Sequence, residues 1–214
     1  MEQRVHKNAL LSQGEDVKIK AKGGGGLEQA KKRDHKIMVT DVAISKVPYV
    51  EVPGFTAEQN QLLQQINRDV LRTAMESNYS NEVALVYNLY TAERVFVLGD
   101  ENHIDTEGDL NVRMLQGRSY AFELAISHNH LSTSNFSFAD IDYFIANDYF
   151  GLMSVVTNQG EVYVLLKTSS FDYDKVREVE KALMEEYSLE RQEEITKEFL
   201  KRCKEGGILY VKGK

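Results

Sequence analysis

An apolar stretch that runs directly into two histidines constrains the fold of this chain more than any other feature. The stretch reads AFELAISHNH and ends at His130, a pattern that predicts a β-strand. Successive side chains of a strand point to opposite faces, so alternate residues share one face. That face would carry Phe122, Leu124, Ile126, His128 and His130. The three apolar residues are expected to anchor it in a core. Taken alone, the two histidines are equally consistent with a chelating pair and with ordinary residues at a strand end.

A Ser-x-x-Asp sequence, Ser137 to Asp140, follows the second histidine. It is close to the capping-box pattern that begins a helix, so Ser137 can simply be a helix N-cap. Helical periodicity groups Asp140 with Ser137 and Phe144, whereas Asp142 lies nearly opposite. Both faces carry apolar residues, which leaves open the carboxylate that turns toward the histidines. Asp140 is favoured because it shares the face of Ser137, nearest the histidine loop. Two imidazoles and one carboxylate leave a fourth zinc position open, as in catalytic zinc sites.

The rest of the pattern predicts an α+β fold with mixed α/β/α layers. Its central sheet would be flanked by helices, one of them long and C-terminal. The expected strands are residues 37–44, 82–90, 94–100 and 114–127, a hairpin at 152–168, and a last strand at 208–211. The expected helices begin at Thr56, at Phe138 and at Asp172, and the last of these runs to Gly206.

Composition sets the expected domain organisation and the class of partner. Residues 1–35 contain four consecutive glycines and are expected to form a flexible tail. Residues 36–170 are assigned to one domain, and residues 171–214 to a helical extension packed on it. The net charge of −7 argues against a broad nucleic-acid surface. No apolar run is long enough to span a bilayer, and no signal peptide is evident. The single cysteine, Cys203, fits a reducing cytoplasm and excludes a multi-cysteine zinc site.

These residues resemble the JAMM motif of the JAB/MPN metallopeptidase superfamily. That motif is a glutamate, then His-x-His-Pro, then Ser-x-x-Asp. Here the second part is HNHL at residues 128–131, and the third is SFAD at residues 137–140. The His-Asn-His form is especially similar to the RadC branch. The matching glutamate is Glu82, at a strand start just after the first predicted helix; without the resemblance it is an ordinary charged residue there. Leu131 replaces the motif proline, and the five-residue gap to Ser137 is slightly short.

The resemblance covers roughly residues 55–168 and implies an MPN/JAB-like fold with a Zn²⁺ ion. The implied metal ligands are His128, His130 and Asp140. Glu82 would carry the proton, and Ser137 would donate a hydrogen bond to the oxyanion or to the attacking water. The implied function is a cytoplasmic zinc hydrolase that cleaves a peptide or isopeptide bond in a protein or peptide substrate. Similar domains occur in bacterial, phage- or mobile-element-associated proteins.

Two other functions stay open from the sequence. One is a non-catalytic MPN-like interaction module, with the C-terminal helix as its docking surface. The other is a RadC-like protein that acts on DNA, which the acidic composition disfavours. A second candidate metal site is the acidic loop at residues 100–109, which contains His103. Its spacing matches no ligand template, so a solvated loop is the preferred interpretation.

Overall fold

The computed structural model describes residues 36–101, 103–187 and 189–213, and the predicted flexible tail at residues 1–35 lies outside them. The helices are α1 (Asp41–Lys46), α2 (Ala57–Ser77), α3 (Leu110–Gln116), α4 (Phe138–Ala146), α5 (Tyr173–Tyr187) and α6 (Gln192–Arg202). The strands are β1 (Val83–Asn88), β2 (Arg94–Leu98), β3 (Leu124–His130), β4 (Phe150–Thr157), β5 (Val162–Lys167) and β6 (Ile208–Lys212). Short 3₁₀ turns span Leu189–Arg191 and Cys203–Gly206.

One six-stranded mixed sheet forms the centre of the fold, in the order β2-β1-β3-β4-β5-β6. Neighbouring strands are antiparallel except β3 and β4, which are parallel. A parallel pair needs a crossover connection, and α4 lies in that connection. The prediction of an α+β fold is therefore confirmed.

Each face of the sheet packs on its own helices. Along β1, Ala84 and Val86 join the core formed with α3 to α6, whereas Val83, Leu85 and Tyr87 join the core formed with α1 and α2. The same division separates Leu124 and Ile126 of β3 from Ala125. This alternation is what a strand covered on both faces requires. It produces the expected three layers, with helices α4 to α6 on the face of β3 that also carries the histidines.

Helix α2 shows how the sequence specifies its elements. Thr56 accepts a hydrogen bond from the Gln59 N–H, and the Gln59 side chain accepts one from the Thr56 N–H, which completes a capping box. Leu63, Val70 and Ala74 recur at helical spacing, and all are buried against the sheet. The predicted helix from Thr56 is confirmed.

Two predicted strands are wrong. In the strand expected at residues 37–44, residues 41–44 instead belong to helix α1, because the Thr40 side chain caps that helix by accepting from the Ala43 N–H at 3.2 Å. The strand expected to start at residue 114 begins only at Leu124. Residues 110–116 instead form α3, whose N-terminal N–H groups are capped by the Asp109 carboxylate.

Phe122 does not anchor β3. It precedes the strand, its φ of 64° lies in the left-handed region, and it is 41% exposed. The apolar anchor of the histidine face therefore consists of Leu124 and Ile126.

The prediction of a single long C-terminal helix is also wrong, because α5 ends at Tyr187 and α6 begins at Gln192. A continuous helix from Asp172 to Gly206 would extend about 50 Å and carry its second half away from the sheet. The break returns Phe199 and Ile195 to the core that Val176 enters from α5. Within the described residues, no helix has the length and apolar character needed to cross a membrane.

Candidate metal centre

Strand β3 brings the two histidines to the end of a buried row. His128 pairs with Ala84 of β1 and Val155 of β4, and His130 pairs with Thr157 of β4. Every residue of β3 is buried. The rings are 5.0 Å apart, centroid to centroid, and their Nε2 atoms are separated by only 3.1 Å. Both imidazoles thus present the same nitrogen to one point.

Helix α4 supplies a carboxylate at that point. Asp140 Oδ1 lies 3.2 Å from His128 Nε2, and Asp140 Oδ2 lies 3.3 Å from His130 Nε2. The side chain of Asp140 is 18% exposed, so the group is partly buried and can be reached from solvent. Asp142 turns away and forms an ion pair with Arg177 of α5. Of the two aspartates left open by helical periodicity, only Asp140 meets the histidines.

The His128, His130 and Asp140 group could hold a metal ion. Two imidazole nitrogens and a carboxylate oxygen are ligands that zinc accepts, at bond lengths of about 2.0–2.1 Å. Tetrahedral bonds of that length separate neighbouring ligand atoms by about 3.3 Å. The two Nε2 atoms are 3.1 Å apart, close to this value, and each lies 3.2–3.3 Å from one of the two Asp140 oxygens. The residues therefore fit such an ion.

Ser137 begins α4 and also holds the carboxylate. Its Oγ accepts from the Asp140 N–H at 3.1 Å, as an N-cap does. The Ser137 N–H and Oγ–H both donate to Asp140 Oδ2, at 2.6 and 2.7 Å. The capping box therefore fixes the rotamer of the candidate ligand. Ser137 itself is exposed and accessible from solvent.

The loop after β3 orients the second histidine. His130 Nδ1 lies 3.3 Å from the Ser134 carbonyl oxygen. The Ser134 hydroxyl lies at the same distance from Nδ1, so Ser134 holds the ring by two contacts of 3.3 Å and Nε2 is the nitrogen that faces Asp140. The loop departs without the motif proline, and the Leu131 carbonyl instead accepts a hydrogen bond from the Ile37 N–H at 2.8 Å.

The charges of the metal-free group are strongly coupled. Burial opposes ionisation of Asp140, but the charges and hydrogen bonds of both histidines outweigh it and hold the pKa of Asp140 well below its usual value. Burial likewise disfavours the charged form of His130, yet the hydrogen bond and charge of Asp140 raise the pKa of His130. The aspartate and the histidines thus each favour the charged form of the other.

Glu82 immediately precedes β1 and lies two residues before Ala84, the partner of His128. Strand parity puts its side chain on the histidine face. Its N–H donates to the Asp100 carbonyl at 3.1 Å, and its carbonyl accepts from the Gly99 N–H at 2.9 Å. Burial raises the pKa of Glu82, whereas the nearby charges of both histidines lower it. The structure thus gathers all five predicted residues in one region.

The sequence pattern gives no sign of the role of Asn129, between the two histidines. Its side chain is fully buried and forms hydrogen bonds with the N–H of Val83, the first residue of β1, and with the side chain of Asn158. Alternation alone indicated only that Asn129 faces away from the metal. In the described part of the acidic loop, the Asp100 carboxylate accepts from the His103 N–H, and His103 joins no metal-binding group.

No protein-family model matches the chain, and no curated protein or solved structure matches it significantly. The JAB/MPN assignment therefore stays a resemblance, carried by the five residues whose positions are given above.

Proposed function

We propose that this protein is a zinc-dependent hydrolase of JAB/MPN type that cleaves a peptide or isopeptide bond. The observation that carries the proposal is the convergence of His128 Nε2, His130 Nε2 and the Asp140 carboxylate at spacings of 3.1 to 3.3 Å. Glu82 lies at the start of β1 on the same face of the sheet, within electrostatic reach of both histidines. A structural zinc site is usually closed by four protein ligands, whereas three ligands leave a position open for chemistry.

Zinc, when bound, would lower the pKa of a coordinated water to about 7. The Glu82 carboxylate, half-buried and electrostatically coupled to both histidines, is the group available to accept the water's proton. The water deprotonated by Glu82 would supply the oxygen that bonds to the carbonyl carbon of the scissile bond. As the C–N bond breaks, Glu82 returns the proton to the departing amine. The net reaction consumes one water and releases a carboxylate and an amine.

Two further residues support these steps. Asp140 would balance part of the charge of a bound metal ion, and its geometry is held by the α4 capping box. Ser137 Oγ–H is engaged with Asp140 Oδ2 in the absence of substrate. It can donate to a developing oxyanion only by rotating away from that carboxylate, while the Ser137 N–H keeps its bond to Asp140.

The test uses Glu82→Gln, which preserves shape and removes the base. We expect the zinc-loaded wild type to cleave members of a panel of fluorogenic linear and lysine-linked isopeptide substrates. Glu82→Gln should keep its zinc and lose activity by about 10²–10⁴-fold. Zinc-loaded wild type that cleaves no member of the panel, or an equally active Glu82→Gln, would contradict the proposal. The first of these results would favour the non-catalytic module.

A further inference from the structure

Asn129 occupies an unusual position for a residue between two candidate ligands. It is fully buried, and its backbone pairs with Val156 of β4. Its side-chain oxygen accepts from the Val83 N–H at 2.7 Å, and its side-chain nitrogen donates to the Asn81 carbonyl at 3.2 Å. One amide therefore bonds to the two peptide groups that flank Glu82.

These bonds take over where the backbone ladder stops. The pairing between β1 and β3 runs from Asn88 and Leu124 to Ala84 and His128. Beyond that pair, the Asn129 amide joins the two strands. On its other side, Glu82 is held through its own N–H and carbonyl by Asp100 and Gly99, next to β2. The backbone of Glu82 is thus fixed from both neighbouring strands.

A second buried amide fixes Asn129 in turn. The side-chain nitrogen of Asn129 donates to Asn158 Oδ1 at 2.8 Å. Asn158 Nδ2 in turn donates to the carbonyls of Ile37 and Ser80, at 2.7 and 3.1 Å. Asn158 lies in the turn after β4 and is also fully buried. Such a connected, fully paired network is rigid, because breaking any member leaves a buried polar group unpaired.

We propose that Asn129 is a positioning residue that sets the Glu82 carboxylate relative to the metal without contacting metal or substrate. The inference rests on the proposed function, in which Glu82 moves the proton. The histidines do not need this amide, since β4 pairs with His128 and His130 through the main chain. Removing the Asn129 side chain should therefore separate catalysis from metal binding. A misplacement of about 1 Å at a reacting group can lower a rate about 10²-fold.

The experiment compares Asn129→Ala with Asn67→Ala in the full-length protein. Asn67 is a matched control because it is equally buried against the same sheet and bonds to Leu63, Ser127 and Ser154. For each variant, zinc affinity is measured by titrating Zn²⁺ into metal-free protein. Amide exchange at Val83 is measured relative to Leu165, a buried amide that reports global unfolding. Turnover is split into kcat and KM on the substrate panel.

Asn129→Ala should bind zinc within about threefold of wild type and lower kcat by about 10–100-fold, with KM within about twofold. Its Val83 N–H should exchange at least about tenfold faster relative to Leu165. Asn67→Ala should leave that ratio and kcat unchanged. If the two variants behave alike, or if Asn129→Ala loses zinc and activity in parallel, the positioning role is wrong and Asn129 is only a core residue.

Two further measurements keep the outcome decisive. If Asn129→Ala fails to fold, Asn158→Ala takes its place. This variant removes one partner of Asn129 and spares the Val83 bond, so its kcat should fall below that of wild type, by less than the change of about 10–100-fold expected for Asn129→Ala. An unchanged kcat would count against the proposal. An inactive wild type would contradict the proposed function alone. The position of Glu82 in a zinc-bound crystal structure of Asn129→Ala would then test Asn129. An unmoved carboxylate would overturn the proposal, and a displacement of about 1 Å would support it.

Discussion

Replacing Ser137 by alanine tests whether the α4 capping box supports the metal centre or only the helix. Ser137→Ala removes the Oγ–H bond to Asp140 Oδ2 at 2.7 Å and the N-cap acceptor for the Asp140 N–H. Loss of an N-cap lowers stability by about 1 kcal/mol, or about 2–4 °C in Tm for a chain of this size. Thr56→Ala removes the same motif from α2 and should have the same effect on Tm.

Zinc affinity distinguishes the two caps. A hydrogen bond to a charged group contributes about 1.5–3 kcal/mol, and residues that orient a ligand typically change metal affinity 10–100-fold. Since Asp140 keeps the bond from the Ser137 N–H, we expect the lower end, about tenfold weaker binding, equal to about 1.4 kcal/mol. Thr56→Ala should bind zinc as wild type does. The measurement is competition with a zinc-chelating dye, with Tm from calorimetry.

Equal zinc affinity in wild type and Ser137→Ala would refute this reasoning, and Ser137 would then be only a helix cap. A loss of affinity in Thr56→Ala as large as in Ser137→Ala would refute it too. The effect would then follow from general destabilisation, not from the bond to Asp140.

Four further predictions concern pH and metal. Without metal, the pKa of His130 is raised, so its contribution to the free energy of unfolding is full below about pH 6.5 and is lost as pH rises through that raised pKa. Calorimetry should show this loss in wild type and not in His130→Ala. Zinc binds neutral imidazoles, so the stabilisation of the protein by zinc should grow as pH rises over the same range. A free zinc concentration of 1,000 times Kd should add about 4 kcal/mol to the free energy of unfolding. The apo protein should lose the Asp140 contribution only below about pH 4, as pH falls through its depressed pKa; Asp140→Asn should lack that acid limb. Burial among three aromatic rings lowers the pKa of Lys167 to about 8, so stability should rise from about pH 8 to 10.5 in wild type and not in Lys167→Met.

Local chemistry decided which parts of the fold the sequence could predict. Helix α2 was predictable because its capping residue and its apolar spacing agree. The break after Tyr187 was not, because the same apolar periodicity fits one long helix or two short ones that return to the core. The β-branched residues at 37–44 favour a strand, but the side chain of Thr40 caps a helix there and α1 forms instead.

The candidate site divides in a similar way. Strand parity could place His128 and His130 together, and both rings do meet. The choice of Asp140 over Asp142 needed the resemblance, because only tertiary packing pairs Asp142 with Arg177. Asn129 was beyond sequence reasoning: its partners Asn81, Val83 and Asn158 come from distant parts of the chain. Alternation identifies the face of a residue and not its hydrogen-bond partners.

The metal content of the purified protein tests the central claim most directly. Protein expressed with ample zinc and freed of tags should contain about one zinc per chain by elemental analysis. The double variant His128→Ala/His130→Ala should contain none, whereas His103→Ala, in the acidic loop, should retain the wild-type amount. Metal-free wild type under these conditions, or a double variant that keeps its zinc, would contradict the account.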